Sequence, residues 1–303
     1  MNISHKKTIV VIAGPTAVGK TAVAIELASH FQTEIISADS RQCFKELDIG
    51  VARPAKEELK RIKHYFIATH SIHEEVNAAI FEQYALKKSS ELFQKHDVVI
   101  MVGGTGLYIK SFCEGLDEMP LIDPAIRTKI VSSYKENGLS WLQKEVQEKD
   151  PEFYKTGEIQ NPQRMMRALE VMESAGDSIL SFRKSQKVER DFKIIKIGLE
   201  LPREDLHRNI NTRVDKMMET GLLDEVKNLL PFKNLNALQT VGYAELFYCL
   251  DSKFSLPDAI ELIKQNTRQY SKRQMTWFKK DKEVGWFTPA HVKNIIDFIE
   301  SRN

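Results

Sequence analysis

Apolar residues along the chain change their rhythm from one stretch to the next. In the first hundred residues, short unbroken β-branched runs alternate with stretches of helical period. Ile9-Val-Val-Ile-Ala13 is the first such run, and an apolar strand without polar alternation suits a parallel sheet buried on both faces. Val23, Leu27 and Phe31 then recur at i, i+4 and i+8, predicting a helix. Residues Glu34–Ser37 and Asp97–Val102 read as two further buried strands. Between them Ala78–Phe93 reads as an amphipathic helix with Ile80, Tyr84 and Leu92 turned to a core. Strands separated by helices predict βαβ units and a parallel sheet.

The rhythm changes at Met119-Pro-Leu-Ile-Asp-Pro124, and Gly115–Pro120 reads as the hinge into a helical segment. From there to about Arg190 the period is helical and no strand stands out. Asn161-Pro162 is a helix start, with an N-cap acceptor before a proline at the first helical position. The helix it opens carries Met165, Leu169 and Met172 on one face and Arg164 and Arg167 on another. Phe192–Leu201 alternates as a strand returning to the sheet, and the last hundred residues read as helical. The fold class expected is α/β, a parallel sheet flanked by helices. Residues 1–120 and 191–303 would form this core and residues 121–190 a helical insertion.

Composition narrows the partners. The 303 residues carry 44 Lys and Arg against 42 Asp and Glu, a net charge of +2, so any nucleic-acid surface must come from local clustering. Cys43, Cys113 and Cys249 stand far apart without CxxC spacing. That pattern excludes a cysteine zinc ribbon and a disulfide scaffold and fits a reducing, cytoplasmic compartment. No apolar run reaches the roughly 18 residues of a membrane span. His5-Lys6-Lys7 before the first apolar run only imitates a signal peptide, and the start is read as a mature N-terminus.

The chemistry begins at Gly14-Pro15-Thr16-Ala17-Val18-Gly19-Lys20-Thr21, which fits G-x-x-x-x-G-K-[ST] at every fixed position. It lies between a buried strand and a helix, where such a loop turns consecutive N–H groups and a helix N-terminus toward an anion. Lys20 adds a point charge, and the Thr21 hydroxyl suits a Mg²⁺ ion bridging phosphate oxygens. A phosphate or diphosphate is therefore expected here.

The loop does not set which phosphate compound it holds. Nucleotide hydrolases place a carboxylate at the end of a later strand, whereas Val98–Val102 runs into Gly103-Gly104-Thr105-Gly106. The acid comes instead at Asp39, after the second strand, on the edge that faces the ligand crevice. It can be read as a general base, a metal ligand or the cap of the next segment. The turn at 103–108 is either structural or a close approach to ligand, with Thr105 able to bond a reacting group. Arg213 is either a second cation for departing phosphate or a solvated helix residue.

Taken in order, GPTAVGKT at 14–21, SADSRQ at 37–42, DIG at 48–50, VGGTGLY at 102–108, NPQRMMRALEV at 161–171, TRVDKMMETGLLDEV at 212–226, VGYAEL at 241–246 and RQYSKRQMTWFKKD at 268–281 span nearly the whole chain. This series resembles the tRNA dimethylallyltransferases, bacterial enzymes that prenylate an adenine beside the anticodon. The resemblance implies that residues 14–21 hold the diphosphate of dimethylallyl diphosphate with Mg²⁺ and Arg213. It makes Asp39 the base toward the adenine N6 amine, with Thr105 beside it. It assigns tRNA contacts to Asp39, Ser40, Arg41, Gln42, Thr105, Arg127, Gln163, Arg164, Met165, Met166 and Arg167. Lys272, Arg273, Gln274, Trp277 and Lys279 complete that set, and the insertion would close over the anticodon stem–loop. A monomer is expected. Phe44, Glu46, Val51 and Ala244 depart from the family's common residues, and His64-Tyr65-Phe66 follows its pattern only loosely.

The residues themselves add a basic segment. Lys264, Arg268, Lys272, Arg273, Lys279, Lys280 and Lys282 stand against one acid, Asp281. Arg268, Lys272 and Lys279 would share a helical face, flanked by Tyr270, Gln274, Trp277 and Phe278. Such a mixture suits an RNA backbone with unstacked bases, or else a solvated helix whose Trp277 and Phe278 serve the core. His64, His70 and His73 lack the partners of a metal site. Rival functions are an ATP-dependent small-molecule kinase, a prenyltransferase acting on free adenine nucleotides, and a nucleotide-driven RNA-binding switch.

Overall fold

The computed structural model describes residues 7–184 and 186–302. His5 and Lys6 of the basic N-terminus lie outside the described residues. In chain order the elements are β1 (Thr8–Ala13), α1 (Lys20–His30), β2 (Ile35–Ser37), α2 (Lys56–Arg61), β3 (His64–Tyr65), α3 (Ala78–Leu92), β4 (Val98–Gly103) and α4 (Gly106–Glu114). There follow α5 (Pro124–Lys149), α6 (Pro151–Thr156), α7 (Pro162–Ala175), α8 (Ile179–Phe182), β5 (Lys193–Leu199) and α9 (Arg203–Glu219). The chain ends with α10 (Leu222–Leu229), α11 (Tyr243–Leu250), α12 (Leu256–Phe278), β6 (Gly285–Phe287) and α13 (Val292–Glu300).

The strands form one parallel sheet in the order β3-β2-β4-β1-β5-β6. The unbroken apolar run of β1 is explained by its central place: Ile9 and Val11 enter a core with Phe81, Phe112 and Leu238, while Val10 and Ile12 enter another with Leu27, Ile210 and Ile295. Each fully buried aliphatic side chain of this kind contributes roughly 1.5–3 kcal/mol. β3 and β6, of two and three residues, are too short to be legible as strands in the sequence; β6 interrupts the expected helical C-terminus. In α3 the buried face runs through Phe81, Ala85 and Leu92, with Ile80 and Tyr84 half-buried. The face is turned by one position because the Phe81 ring stacks on Tyr108, centroids 4.7 Å apart.

The chain divides into two compact units, 1–113 with 189–303 and Glu114–Val188, whereas the change of period in the sequence bounds the insertion at 121–190. The smaller unit is helical. Within it α5 breaks at Gly138 (φ +75°), and Ile130, Leu142, Phe153, Met165 and Leu169 form its core. Its buried Asp150 accepts from the Phe153 N–H at 2.9 Å and the Ser178 hydroxyl at 3.0 Å. No helix among the described residues is long and apolar enough to cross a membrane. Cys43 and Cys249 are free thiols.

In the larger unit the sheet itself prepares a site. From β1 the chain passes to α1 and the core of Leu27; from β4 it passes to α4 and the opposite core of Phe112. Neighbouring strands whose helices leave to opposite faces open a crevice at their carboxyl ends. Gly103 ends β4 so close to the segment after β2 that a Cβ there would lie 2.2 Å from the Ala38 carbonyl oxygen. Gly103→Ala is therefore expected to cost about 3 kcal/mol, the upper end for overpacking. Gly138→Ala, with open space but a left-handed φ, should cost about 1–2 kcal/mol. Urea unfolding midpoints of the two variants test the order.

Candidate active site

Residues 14–21 leave the end of β1 and lead into α1, whose cap Gly19 has φ +100°. Ala17 takes φ +63°, a left-handed conformation that a non-glycine keeps only where its neighbours hold it. Here Asn209 of α9 donates Nδ2–H to the Ala17 carbonyl at 3.3 Å. Thr16 is held twice. Its N–H donates to Gln274 Oε1 at 2.8 Å, and its hydroxyl accepts from Arg213 Nη1 at 3.2 Å. Lys20 folds back so that Nζ donates to the carbonyls of Gly14 (3.0 Å) and Pro15 (2.7 Å).

Two cations thus share the crevice. Burial and then the nearby Arg213 charge lower the Lys20 amine from 10.5 to about 7, while the Asp39 carboxylate acts the other way. Burial also lowers Arg213, again opposed by Asp39. Arg213 is therefore no solvated helix residue.

Asp39 follows β2, and its Oδ1 accepts from the N–H groups of Arg41 (2.9 Å) and Gln42 (3.2 Å). That is a capping turn, and it leaves Oδ2 without a hydrogen bond among the described residues. Thr16, Asp39 and Arg213 line two cavities at once, one of about 730 Å³ and one of about 550 Å³. The larger reaches Lys20, Thr21 and Gly104; the smaller reaches Thr240, Gly242, Ala244 and Arg273. Asp39 stands where an anion site and a second chamber meet.

Several expected ligand contacts have other partners. Thr105 Oγ1 accepts from the Ser40 N–H at 3.0 Å and lies 3.3 Å from the Ser40 hydroxyl, bracing the segment after Asp39. Gln42 Nε2 donates to the carbonyls of Val51 (3.2 Å) and Ala52 (2.9 Å), and Arg41 Nη1 to Asn236 (3.0 Å). Buried Gln274 bridges the two glycine turns, since its Nε2 donates to the Gly104 carbonyl at 2.9 Å. Met165 and Met166 are buried in the smaller unit's core and offer nothing to a ligand in solution. Around them Arg164 pairs with Glu158 (2.5 Å), Arg167 with Glu170 (3.1 Å) and Arg127 with Glu170 (3.9 Å), while Gln163 is exposed.

The expected basic face of α12 is also divided. Arg268 bonds Asn211 Oδ1 at 2.7 Å, and Lys279, beyond the helix end, pairs with Glu200 at 2.7 Å over the Trp286 ring. Lys272, Arg273, Thr276, Trp277 and Lys280 surround a depression of about 230 Å³, with the three cations and Trp277 exposed. Phe278 is buried, but Trp277 is not.

One clamp is invisible in the sequence read alone. Glu225 accepts the N–H groups of Asp48 (3.2 Å), Ile49 (2.8 Å) and Gly50 (3.1 Å) and the Tyr243 hydroxyl (2.6 Å), fixing a loop that reaches both cavities at Val51 and Ala52. Three motifs of the series, 48–50, 212–226 and 241–246, meet at this carboxylate, and their joint occurrence is the only signal the sequence holds for it. Glu46 accepts from the Ser71 hydroxyl at 2.7 Å and the Ile72 N–H at 3.0 Å, a local bracing role.

Residues 42–281 match the IPP transferase family. The chain belongs to this family. A relative from Christiangramia forsetii named tRNA dimethylallyltransferase is 51% identical over 96% of this chain and 97% of its own length. One from Bacteroides thetaiotaomicron, named tRNA dimethylallyltransferase 1, is 46% identical over 98% and 96%. The solved tRNA isopentenylpyrophosphate transferase of Bacillus halodurans superposes with a TM-score of 0.73 at 31% identity, covering 98% of this chain and 96% of that one. A eukaryotic dimethylallyltransferase, solved in crystallographic snapshots acting on tRNA, gives 0.73 at 28% identity over 89% and 69%. The family match begins after the phosphate loop; the relatives extend over it.

An anion in the crevice favours the Lys20 ammonium, so its binding takes up a proton above about pH 7. Pyrophosphate calorimetry in buffers of different ionisation heat should show this uptake, and Lys20→Arg, always charged, should lack it. The lowered value also means that the folded chain binds fewer protons than the unfolded one between about 7 and 10.5. The contribution of Lys20 to stability therefore rises with pH across that window. Lys20→Met should raise Tm by several degrees at pH 6, with the gain shrinking toward pH 9.

Proposed function

We propose that the chain transfers a dimethylallyl group from dimethylallyl diphosphate to N6 of the adenosine 3′ to the anticodon in tRNA. The observation that carries this reading is the wall common to both cavities, on which Thr16, Asp39 and Arg213 stand together. A donor diphosphate in the larger cavity and an adenine in the smaller would bring an allylic carbon and an amine to the same carboxylate.

The exocyclic amine of adenine is a poor nucleophile because its lone pair is delocalised into the ring. As the N6–carbon bond forms and the carbon–oxygen bond to diphosphate breaks, Asp39 takes the N6 proton and the bonding pair leaves on the diphosphate. General-base help of this kind is typically worth 10²–10⁴-fold in rate. Lys20 and Arg213, on the wall of the larger cavity, would stabilise the negative charge that grows on the leaving group. Thr105, bonded to Ser40, keeps the Asp39 turn in place.

Among the described residues no cluster of three His, Cys, Asp or Glu forms a metal site of its own. Mg²⁺ would be held by the Thr21 hydroxyl on the cavity wall together with diphosphate oxygens, a mode that suits an ion bound mainly by water and phosphate. There it would supply charge neutralisation for the leaving group. The exposed Lys272, Arg273, Trp277 and Lys280 supply phosphate contacts and a stacking surface. The target base must leave its stack to enter the smaller cavity, at a cost of a few kcal/mol that such contacts offset.

Incubation with unmodified tRNA, Mg²⁺ and labelled dimethylallyl diphosphate should place label on that adenosine, and an anticodon stem–loop should serve as acceptor where AMP does not. Asp39→Asn should lower the single-turnover rate about 10²–10⁴-fold with tRNA affinity kept. Transfer of the ATP γ-phosphate to a metabolite, without RNA modification, would overturn the assignment.

A further inference from the structure

Thr16 is the point at which the anion crevice and the basic helix converge. Gln274, only 6% exposed, reaches from α12 to both glycine turns, accepting from the Thr16 N–H at 2.8 Å and donating to the Gly104 carbonyl at 2.9 Å. Gly104 is shaped to this amide, because a Cβ there would lie 2.4 Å from Nε2. One turn later the Trp277 indole lies against Gly106, where a Cβ would fall 2.3 Å from the ring. Lys272 and Arg273 on the same turns, and Lys280 just past the helix end, face solvent. A second connection runs beside the first: Arg268 of α12 bonds Asn211 of α9, and α9 carries the Arg213 and Asn209 side chains that hold Thr16 and Ala17.

A helix is a stiff rod on the scale of two turns, and a buried amide bonded at both ends has no solvent to exchange with. RNA that orders the exposed side of α12 therefore sets where Gln274 holds Thr16 and Gly104. By the same contacts, an anion that orders the loop sets where α12 presents its cations. We propose that Gln274 is a positioning residue that couples polynucleotide binding on α12 to anion binding in the phosphate loop. It lines the larger cavity and acts there through Thr16 and Gly104. The identity of the polynucleotide as tRNA rests on the function proposed above; the coupling itself rests on the two amide bonds.

Coupling between sites is reciprocal and typically amounts to 5–150-fold. Pyrophosphate affinity of the full chain should rise about fivefold or more when an anticodon stem–loop RNA is saturating, and RNA affinity should rise by the same factor with pyrophosphate. Gln274→Met keeps the volume and removes both bonds. Gln274→Glu keeps the acceptor for Thr16 but turns an anion on the Gly104 carbonyl. In both variants the factor should fall toward one. A merely structural amide would weaken pyrophosphate equally with and without RNA and leave the factor unchanged, which overturns the proposal. So does a factor of one in the native protein. Should Gln274→Met fail to fold, Gln274→Glu decides alone. RNA that does not bind at all overturns both the coupling and the proposed function, whereas RNA that binds without coupling overturns the coupling only.

Discussion

The donors and cations of the phosphate loop and its neighbours are held by one another's polar groups. Lys20 turns to the carbonyls of Gly14 and Pro15, Arg213 to the Thr16 hydroxyl, and the Thr16 N–H to Gln274. Asp39 is the carboxylate that favours the charged forms of both cations. Each of these bonds fixes a donor on the wall of the larger cavity. Preorganised charge of this kind contributes to catalysis because the work of assembling it is done during folding. The lowered Lys20 amine is the trace of that work.

The sheet is readable in the sequence because its central strands obey local rules. β1 and β4 are buried along their whole length, and only unbroken apolar runs satisfy that environment. The edge strands β3 and β6 carry too few residues for any period to register. The glycine turns are readable for a similar reason, since a Cβ at Gly103 would lie only 2.2 Å from backbone, which leaves one residue type. What cannot be read is how side chains cross the molecule. Gln274 and Thr16 are 258 positions apart, and neither neighbourhood hints at the other. By its motif Gln42 is available for RNA, yet it closes on Val51 and Ala52; Met165 and Met166 sit in a matching motif, but their helical phase turns them inward.

The same geometry sets this crevice apart from that of a nucleotide hydrolase. In a nucleotide hydrolase the strand beside the phosphate loop ends in an acid that helps hold the metal. Here β4 ends in Gly103, and the group beside the next residue is the neutral amide of Gln274. The acid stands instead after β2, at the boundary of the second cavity. Charge relief at the phosphate thus comes from cations, while the carboxylate is left to the nucleophile's side.

Charge pairing on the surface follows the same logic. Arg127, Arg164, Arg167 and Lys279 each have an acidic partner, so they add little long-range field, and a polyanion must displace those partners to use them. Lys272, Arg273 and Lys280 have no ion pair among the described residues, and they lie on or just past the helix whose buried side reaches the phosphate loop through Gln274. A chain of net charge +2 has little general attraction for RNA. These unpaired cations are concentrated at a place where engaging a phosphate backbone also bears on the reacting site.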